Sequence, residues 1–341
     1  MPVSSRRVSS PCYAGAQERL DRVILLCGDY CAMRSLAYKA SLAAFLLAVV
    51  FSAKAQNPDS CLQRSIVVNV RDQQGKLVSG LQPTSFQGVL RGQPVKVLSV
   101  GVNTEPPRIV LLVDRSGSVN RSNHKLQTTQ FLAENFMTTS RAPRVALALF
   151  SEQVPDVIGF DHAPNAILQR LTNLGDGHGG TAILDSLMYS ARIFQTHEPG
   201  DAIYVITDAG DNKSRFQKKD VELELLSKGI RLFVFVVSTA QAPLMTEIER
   251  QQGYDELQHL TEATGGSIVN AEYDPYEKES RELEASLQRA YDKMKSFYEL
   301  QVGLPVKPDK ERPWELRVVD EHGKKRKDVE ITYARNLAPC R

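Results

Sequence analysis

The sequence predicts an α/β fold: a doubly wound, mostly parallel sheet, joined to a small β-sandwich-like module built from strands at the two ends of the chain. Three observations predict it. Between residues 106 and 296, continuous apolar runs rich in Val, Ile and Leu alternate with helix-length amphipathic segments. Such runs suit parallel strands covered on both faces, where neither side of the strand meets water. On either side of that region the chain breaks into short alternating strands separated by turn residues. The composition, 42% hydrophobic and 24% charged over 341 residues, is globular, with length for one large domain and a small one.

The chain opens with a leader. Arg34 and Lys39 precede an apolar run from Ala40 to Ser52, and Ala53-Lys54-Ala55 supplies the small-x-small pattern that signal peptidase reads. Residues 1–55 are therefore expected to be leader and signal peptide, cleaved after Ala55. Met33 stands directly before the signal, so residues 1–32 are either an unusually long leader or an extension upstream of the true start. The apolar run is shorter than the roughly 18–20 residues of a membrane span, and Gln56-Asn57-Pro58-Asp59-Ser60 is no stop-transfer flank. A retained anchor is the alternative. Neither Cys27 nor Cys61 has the small-residue setting of lipoprotein processing. The mature chain is expected to be exported, to a periplasm, a cell surface or the medium, with no transmembrane segment.

Removing residues 1–55 takes away seven Lys or Arg and three acids, and the formal charge passes from +2 to −2. Such a balance gives no bulk attraction to nucleic acid. The one dense basic run, Lys324-Lys325-Arg326-Lys327, follows His322-Gly323 and reads as a solvated turn rather than a polyanion patch. Cys12, Cys27 and Cys31 leave with the leader, while Cys61 and Cys340 remain, one at each end. Two cysteines in an exported chain are expected to pair, the alternative being two free thiols. Chain-entropy reasoning assigns so long a closure on the order of 4–5 kcal/mol.

Residues 56–105 form an N-terminal β segment: Ser65 to Val70 alternates into the turn Asp72-Gln73-Gln74-Gly75, and Val95 to Val100 alternates again. So few residues cannot close a core alone. The C-terminal segment, 297–341, offers Phe297 to Leu304, Trp314 to Val319 and Val329 to Tyr333, and the two segments are expected to pack together. In the central region, 106–296, the strands are Arg108 to Val113, Val145 to Phe150, Ala202 to Thr207 and Ile230 to Val237. The helices are Asn120 to Thr139, Ala163 to Leu174, Ala182 to Phe194, Asp220 to Ser227, Leu244 to Thr264 and Glu277 to Lys295. In the last, Leu283, Leu287, Tyr291 and Met294 fall on one stripe, the ordinary signature of a face turned to the core. No fixed-period repeat points to a solenoid or propeller.

Chemistry gathers at three strand ends. Ile109 to Val113 runs into Asp114-Arg115-Ser116-Gly117-Ser118, where an open α/β sheet places its ligands, beyond the carboxyl end of a strand. One carboxylate and two hydroxyls on one loop are hard oxygen donors, suited to Mg²⁺, Mn²⁺ or Ca²⁺ rather than Zn²⁺. Gly179-Gly180-Thr181 adds a hydroxyl at the start of a helix, and Thr207-Asp208-Ala209-Gly210-Asp211 adds carboxylates after another apolar strand.

Together these residues resemble the metal-ion-dependent adhesion site of the von Willebrand factor type A family, an Asp-x-Ser-x-Ser loop, a Thr and an Asp. The resemblance covers the central region and implies Asp114, Ser116, Ser118, Thr181 and Asp208 as metal residues. It also implies direct ligation by Thr181 in the tighter-binding state. Where the family's third loop commonly reads Thr-Asp-Gly, this chain has Ala209 after Asp208, which leaves open whether Asp208 reaches an ion directly or through water. Asp211 is placed at the rim or as a solvated loop acid, and His178, three residues before Thr181, at the rim or as a bystander. The run Val70, Asp72, Gly75, Val78, Gly80, Leu81, with Phe86 beyond it, also resembles the N-terminal signature of exported bacterial VWFA-related proteins described mostly from Acidobacteria.

The function this implies is a metal-dependent protein-binding module, holding Mg²⁺ (or Mn²⁺ or Ca²⁺) and capturing an Asp or Glu of a protein partner. The alternative is a structural component of an envelope or secreted assembly with a vestigial metal site. Catalysis is not expected. The six histidines, His124, His162, His178, His197, His259 and His322, show no metal-binding pair spacing, Ser116 lacks the Gly-x-Ser-x-Gly elbow, and the glycine run from 175 to 180 ends in no phosphate-loop lysine.

Overall fold

The computed structural model describes residues 61–340 except 104, 120–123, 141–143, 155, 239–246 and 273–278. The expected leader and signal, and the expected helix starts at Asn120, Leu244 and Glu277, lie outside the described residues. The chain opens with β1 (Gln63–Asp72), β2 (Phe86–Leu90) and β3 (Gln93–Asn103). The central region follows as β4 (Ile109–Asp114), α1 (Lys125–Ser140), β5 (Val145–Phe150), β6 (Asp156–Ile158), α2 (Pro164–Thr172), α3 (Ile183–Ile193) and β7 (Ala202–Thr207). It continues through α4 (Lys218–Lys228), β8 (Arg231–Ser238), α5 (Glu247–Thr264), β9 (Ser267–Glu272) and α6 (Glu279–Lys295). The chain closes with β10 (Phe297–Gly303), β11 (Arg312–Pro313), β12 (Glu315–Val318), β13 (Val329–Tyr333) and β14 (Asn336–Leu337).

The central sheet has the order β6-β5-β4-β7-β8-β9, parallel throughout except for the edge strand β6, which runs antiparallel to β5. Every residue of β4, β5 and β7 is buried, as unbroken apolar runs require. One face packs Ile109, Leu111 and Val113 against α1, α2 and α6, including the stripe of Leu283, Leu287, Tyr291 and Met294. The other packs Val110 and Leu112 against α3, α4 and α5 through Leu187, Val221, Leu225, Leu257 and Leu260. Each fully buried side chain of this kind is worth roughly 1.5–3 kcal/mol over exposure. Phe136 of α1 stacks on Tyr204 of β7 at 4.5 Å between centroids, and Tyr204 meets Phe235 of β8 at 5.0 Å. Strand order reverses at β4, which has β5 on one side and β7 on the other, so the crevice at its carboxyl end is the topological switch point of the sheet.

The second six-stranded sheet has the order β12-β2-β3-β10-β1-β13. Strands from the two ends of the chain interleave in it, so neither terminal segment could form it alone. Its pairings β1 with β10 and β13, β10 with β3, β3 with β2, and β2 with β12 are all antiparallel. β3 carries an irregularity opposite Gln301 and Val302, the kind of feature that bends a strand. The edges approach each other: Trp314 meets Tyr333 edge-on at 5.3 Å, and the Leu316 amide donates to the Tyr333 hydroxyl at 2.8 Å. The curled sheet encloses Val68, Val70, Leu90, Tyr298, Leu300, Val302, Trp314 and Leu316. Cys61 and Cys340 are disulfide-bonded, with Cα atoms 5.8 Å apart. The basic run from Lys324 lies on the exposed hairpin between β12 and β13, where Asp320 Oδ1 accepts the amides of His322 and Lys324.

This module docks where the parallel strands begin. Arg231, first residue of β8, lies over the Phe297 ring at 4.7 Å and donates to the carbonyls of Gly200, Lys293 and Met294. From β1, Asn69 donates to Lys293 O, and Arg71 to Asp292 O and Ser296 O. The last carbonyls of α6, which have no partner within their own helix, are thus met by side chains from both sheets. Gly200 has no room for a side chain, since a Cβ there would stand 2.3 Å from the Phe297 ring. The strand ends that carry the sequence's candidate residues face the opposite way.

Candidate metal centre

Asp114 ends β4 with no solvent exposure. Its Oδ1 accepts the Ser116 amide at 2.8 Å, which turns the chain sharply, and its Oδ2 accepts the Thr207 hydroxyl from the end of β7 at 2.7 Å. Thr207 Oγ1 also accepts the Ala209 amide at 3.2 Å, so one hydroxyl ties the first loop to the third. The Ser116 and Ser118 hydroxyls lie 3.0 Å apart. The second loop is stitched to the first along its backbone: Gly117 N donates to Gly179 O, His178 N to Arg115 O, and Gly177 N to Val119 O. A Cβ on Gly177 would fall 2.0 Å from Ser116 O and 2.3 Å from Val119 O, so this close approach admits only glycine.

Thr181 is 2% exposed. Its amide donates to Asn212 Oδ1 at 3.0 Å, and its carbonyl accepts from the amides of Asn212 and Lys213, joining the second loop to the third. Asp208 is buried beside Asp114. Its Oδ2 pairs with Lys125 Nζ at 2.6 Å, while its Oδ1 is buried with no hydrogen-bond partner. Burial first, and the Asp208 charge second, push the Asp114 carboxyl up to about 7 against the hydrogen bonds from Thr207 and Ser116. Two acids are held together at an interior cost that a cation would relieve.

The structure therefore brings Asp114, Ser116 and Ser118 into one hydrogen-bonded group, sets Asp208 beside it next to the bridging Thr207, and leaves Thr181 in the loop that links the other two. Asp211 is committed elsewhere. Its Oδ2 accepts the Leu184 amide in the first turn of α3, and its Oδ1 accepts the amides of Lys213 and Ser214. His178 is exposed, and its hydrogen bond to the first loop is made by the backbone. Sequence reasoning missed Lys125 and the bridging role of Thr207. Thr207 adjoins Asp208 and was open to suspicion, whereas the reach of Lys125 from the first turn of α1 leaves no local pattern.

Among the described residues no group of three or more His, Cys, Asp or Glu is arranged to hold a metal. The donors here are of another kind, two carboxylates and three hydroxyls, the oxygen set that suits a hard divalent cation. The orphaned Asp208 Oδ1 is the observation that fits such an ion, because a buried carboxylate oxygen without a donor is costly to leave bare.

Residues 109–211 match the family described as the von Willebrand factor type A domain. Among solved structures the chain is similar to the conserved hypothetical protein BatB from Bacteroides thetaiotaomicron, at 18% identity and a TM-score of 0.42, over 55% of this chain and 98% of that one. It is similar to a von Willebrand factor type A protein from Catenulispora acidiphila, at 13% identity and a TM-score of 0.40, over 84% and 75% of the two chains. It is also similar to proximal thread matrix protein 1 from the mussel byssus, described with a zinc-occupied MIDAS motif, at 15% identity and a TM-score of 0.45, over 60% and 50%. No curated protein matches the chain.

Proposed function

The chain carries a von Willebrand factor type A domain, and from that premise we propose that it is an exported, metal-dependent binding module that captures a partner's Asp or Glu. Domains of this family are often protein-interaction modules and generally not enzymes. The observation that carries the reading is the bare, buried Oδ1 of Asp208, whose charge acts on the Asp114 carboxyl and whose neighbour Thr207 donates to Asp114.

Asp114, Ser116, Ser118, Thr181 and Asp208 are the residues that would hold a Mg²⁺ or Mn²⁺ ion. Bound there, the ion would supply a Lewis-acidic position open to an anionic side chain. The chain's own residues do the rest. Thr207 and the Ser116 amide fix both oxygens of Asp114, so its carboxylate cannot turn away. The amide ladder from Gly117 to Gly179 keeps the second loop against the first, and Asn212 keeps Thr181 against the third. Two carboxylates balance the charge of a divalent ion without filling its coordination sphere, and the open position is one that a partner's carboxylate would take. The β module docks at the other ends of the parallel strands, through Arg231, Asn69 and Arg71. Export is supported by the leader read from the sequence and by the Cys61–Cys340 disulfide, a bond of oxidising compartments. Among the described residues no helix is long and apolar enough to cross a membrane.

One observation favours a second reading, a structural component whose metal site is vestigial: Lys125 already sets a positive charge against Asp208. Titration calorimetry of Mg²⁺ and Mn²⁺ into the purified protein, beside an Asp114→Ala, Ser116→Ala variant with an unchanged circular dichroism spectrum, separates the two. Saturable one-to-one binding in the parent and none in the variant is expected. A parent that takes up neither ion leaves only the structural reading.

A further inference from the structure

The buried ion pair at the heart of the site is the feature that the adhesion reading does not use. Lys125 stands in the first turn of α1, 3% exposed, and its Nζ is 2.6 Å from Asp208 Oδ2, itself 3% exposed. A lysine is rarely so buried unless a partner justifies the loss of hydration. Here the partner is one of two neighbouring acids, and Asp208 Oδ1 remains bare beside it. The ammonium therefore compensates one oxygen and one charge in a group that carries two carboxyls.

We infer that Lys125 is a tethered counter-cation that sets both the ion affinity and the charge of this site: it holds Asp208 until a divalent cation is taken, and then gives it up by exchange. The inference rests on the metal-binding reading above and adds a regulator to it. Two effects of opposite sign follow. Lys125 weakens ion binding, because the ammonium must be moved off Asp208 and because like charges repel at short range in a poorly screened interior. It also raises the charge of the loaded site, since two carboxylates set against one ammonium and one divalent ion leave a single positive charge. That surplus favours an anionic partner over a neutral one. A site with the two acids and no lysine would bind the ion more tightly and the partner's carboxylate more weakly.

The test is Lys125→Met, which keeps the length of the stem and removes the charge, with Lys125→Arg retaining the charge. Two quantities are read on the whole protein: the melting temperature in EDTA and with Mn²⁺, and the dissociation constant for Mn²⁺ by calorimetry. The expected result for Lys125→Met is a lower melting temperature in EDTA, because Asp208 is left without its cation. With it come a larger rise on adding Mn²⁺ and an Mn²⁺ affinity at least about tenfold tighter than the parent's. Lys125→Arg is expected to stay within about threefold of the parent. Tight Mn²⁺ binding by Lys125→Met beside a parent that binds none means that the ammonium keeps the ion's place permanently, which overturns the exchange. If the parent binds Mn²⁺ and Lys125→Met binds it no tighter, with the same loss of melting temperature in EDTA and in Mn²⁺, Lys125 is a packing residue and the inference alone is overturned. If neither protein takes up Mn²⁺, the metal-binding reading fails and this inference with it.

Discussion

At the scale of the residue, Asp114 is a group whose chemistry is strongly altered by its place in the fold. Buried beside Asp208, its carboxyl is raised to about 7, so in the ion-free protein it holds a proton through much of the mildly acidic range. Taking up a divalent ion requires the carboxylate, and that proton must leave. Mn²⁺ affinity is therefore expected to climb by about tenfold per pH unit below 7 and to level off above it, with close to one proton released at pH 6. Calorimetry in buffers of different ionisation heat measures that proton, and an affinity flat from pH 5.5 to 8 would refute the assignment. Asp114, Ser116, Ser118 and Asp208 follow strands, where pattern and chemistry coincide, whereas Thr181 lies between α2 and α3 and was picked out by the family resemblance. Asp211 shows the limit of that reading. A loop acid near a site and a loop acid accepting the first amides of a helix look alike until the helix is in place. Lys125 shows the other limit, since nothing local distinguishes a lysine that turns inward from one that faces water.

At the scale of the element, the site depends on how closely α5 lies under the third loop. Gly253 is in the body of that helix, where alanine would ordinarily add about 1 kcal/mol of helix stability. Here an added Cβ would stand 1.9 Å from Ala209 O, the residue after Asp208, which itself holds a left-handed φ of 67°. Gly253→Ala is thus expected to destabilise the protein by about 1–3 kcal/mol, as overpacking does, and to weaken Mn²⁺ binding by shifting Asp208. Thermal melting and calorimetry on the variant check both, and a rise in melting temperature would show that the helix yields freely. The long elements were legible: β4, β5, β7 and β8 are mainly apolar runs, and the described residues of the six helices fall within a few residues of the expected ranges. The edge strands were not. β6 has three residues, and β9, Ser267–Glu272, is a mixed polar and apolar run after Gly265-Gly266, so burial on both faces could not announce it. β2, Phe86–Leu90, was equally silent, because Gly88 stands at its centre.

At the scale of the whole molecule, the sequence showed that strands from both ends belong together but not their interleaved order, which is set by pairings more than 200 residues apart. The seam between the two sheets contains a titrating group. Glu222 of α4 accepts from Asn336 and lies 3.0 Å from His259, while Glu311, just before β11, shares the same Asn336. Burial first, and then the Glu222 carboxylate, push Glu311 up to about 7. Burial alone would raise Glu222 too, but the hydrogen bonds from Glu311, Asn336 and His259 outweigh it and hold its carboxyl below the ordinary value. The signs oppose. Protonated Glu311 contributes stability that is fully present below about 4.5 and lost as pH rises towards 7, whereas the contribution of Glu222 is lost as pH falls below its ordinary range. The seam is expected to be firmest near pH 4.5, where both contributions are present. Glu311→Gln, which donates without titrating, is expected to remove most of the fall in melting temperature between about pH 5 and 7, and a variant with the parent's slope would place that fall elsewhere. The disulfide has a mechanical corollary. With Cys61 and Cys340 joined across nearly all of the described chain, tension applied before the first cysteine and after the second runs through one covalent bridge. The sheets, the seam and the metal loops sit in a slack loop beside that line of force, so such end-to-end tension would leave the loops around Asp208 unloaded.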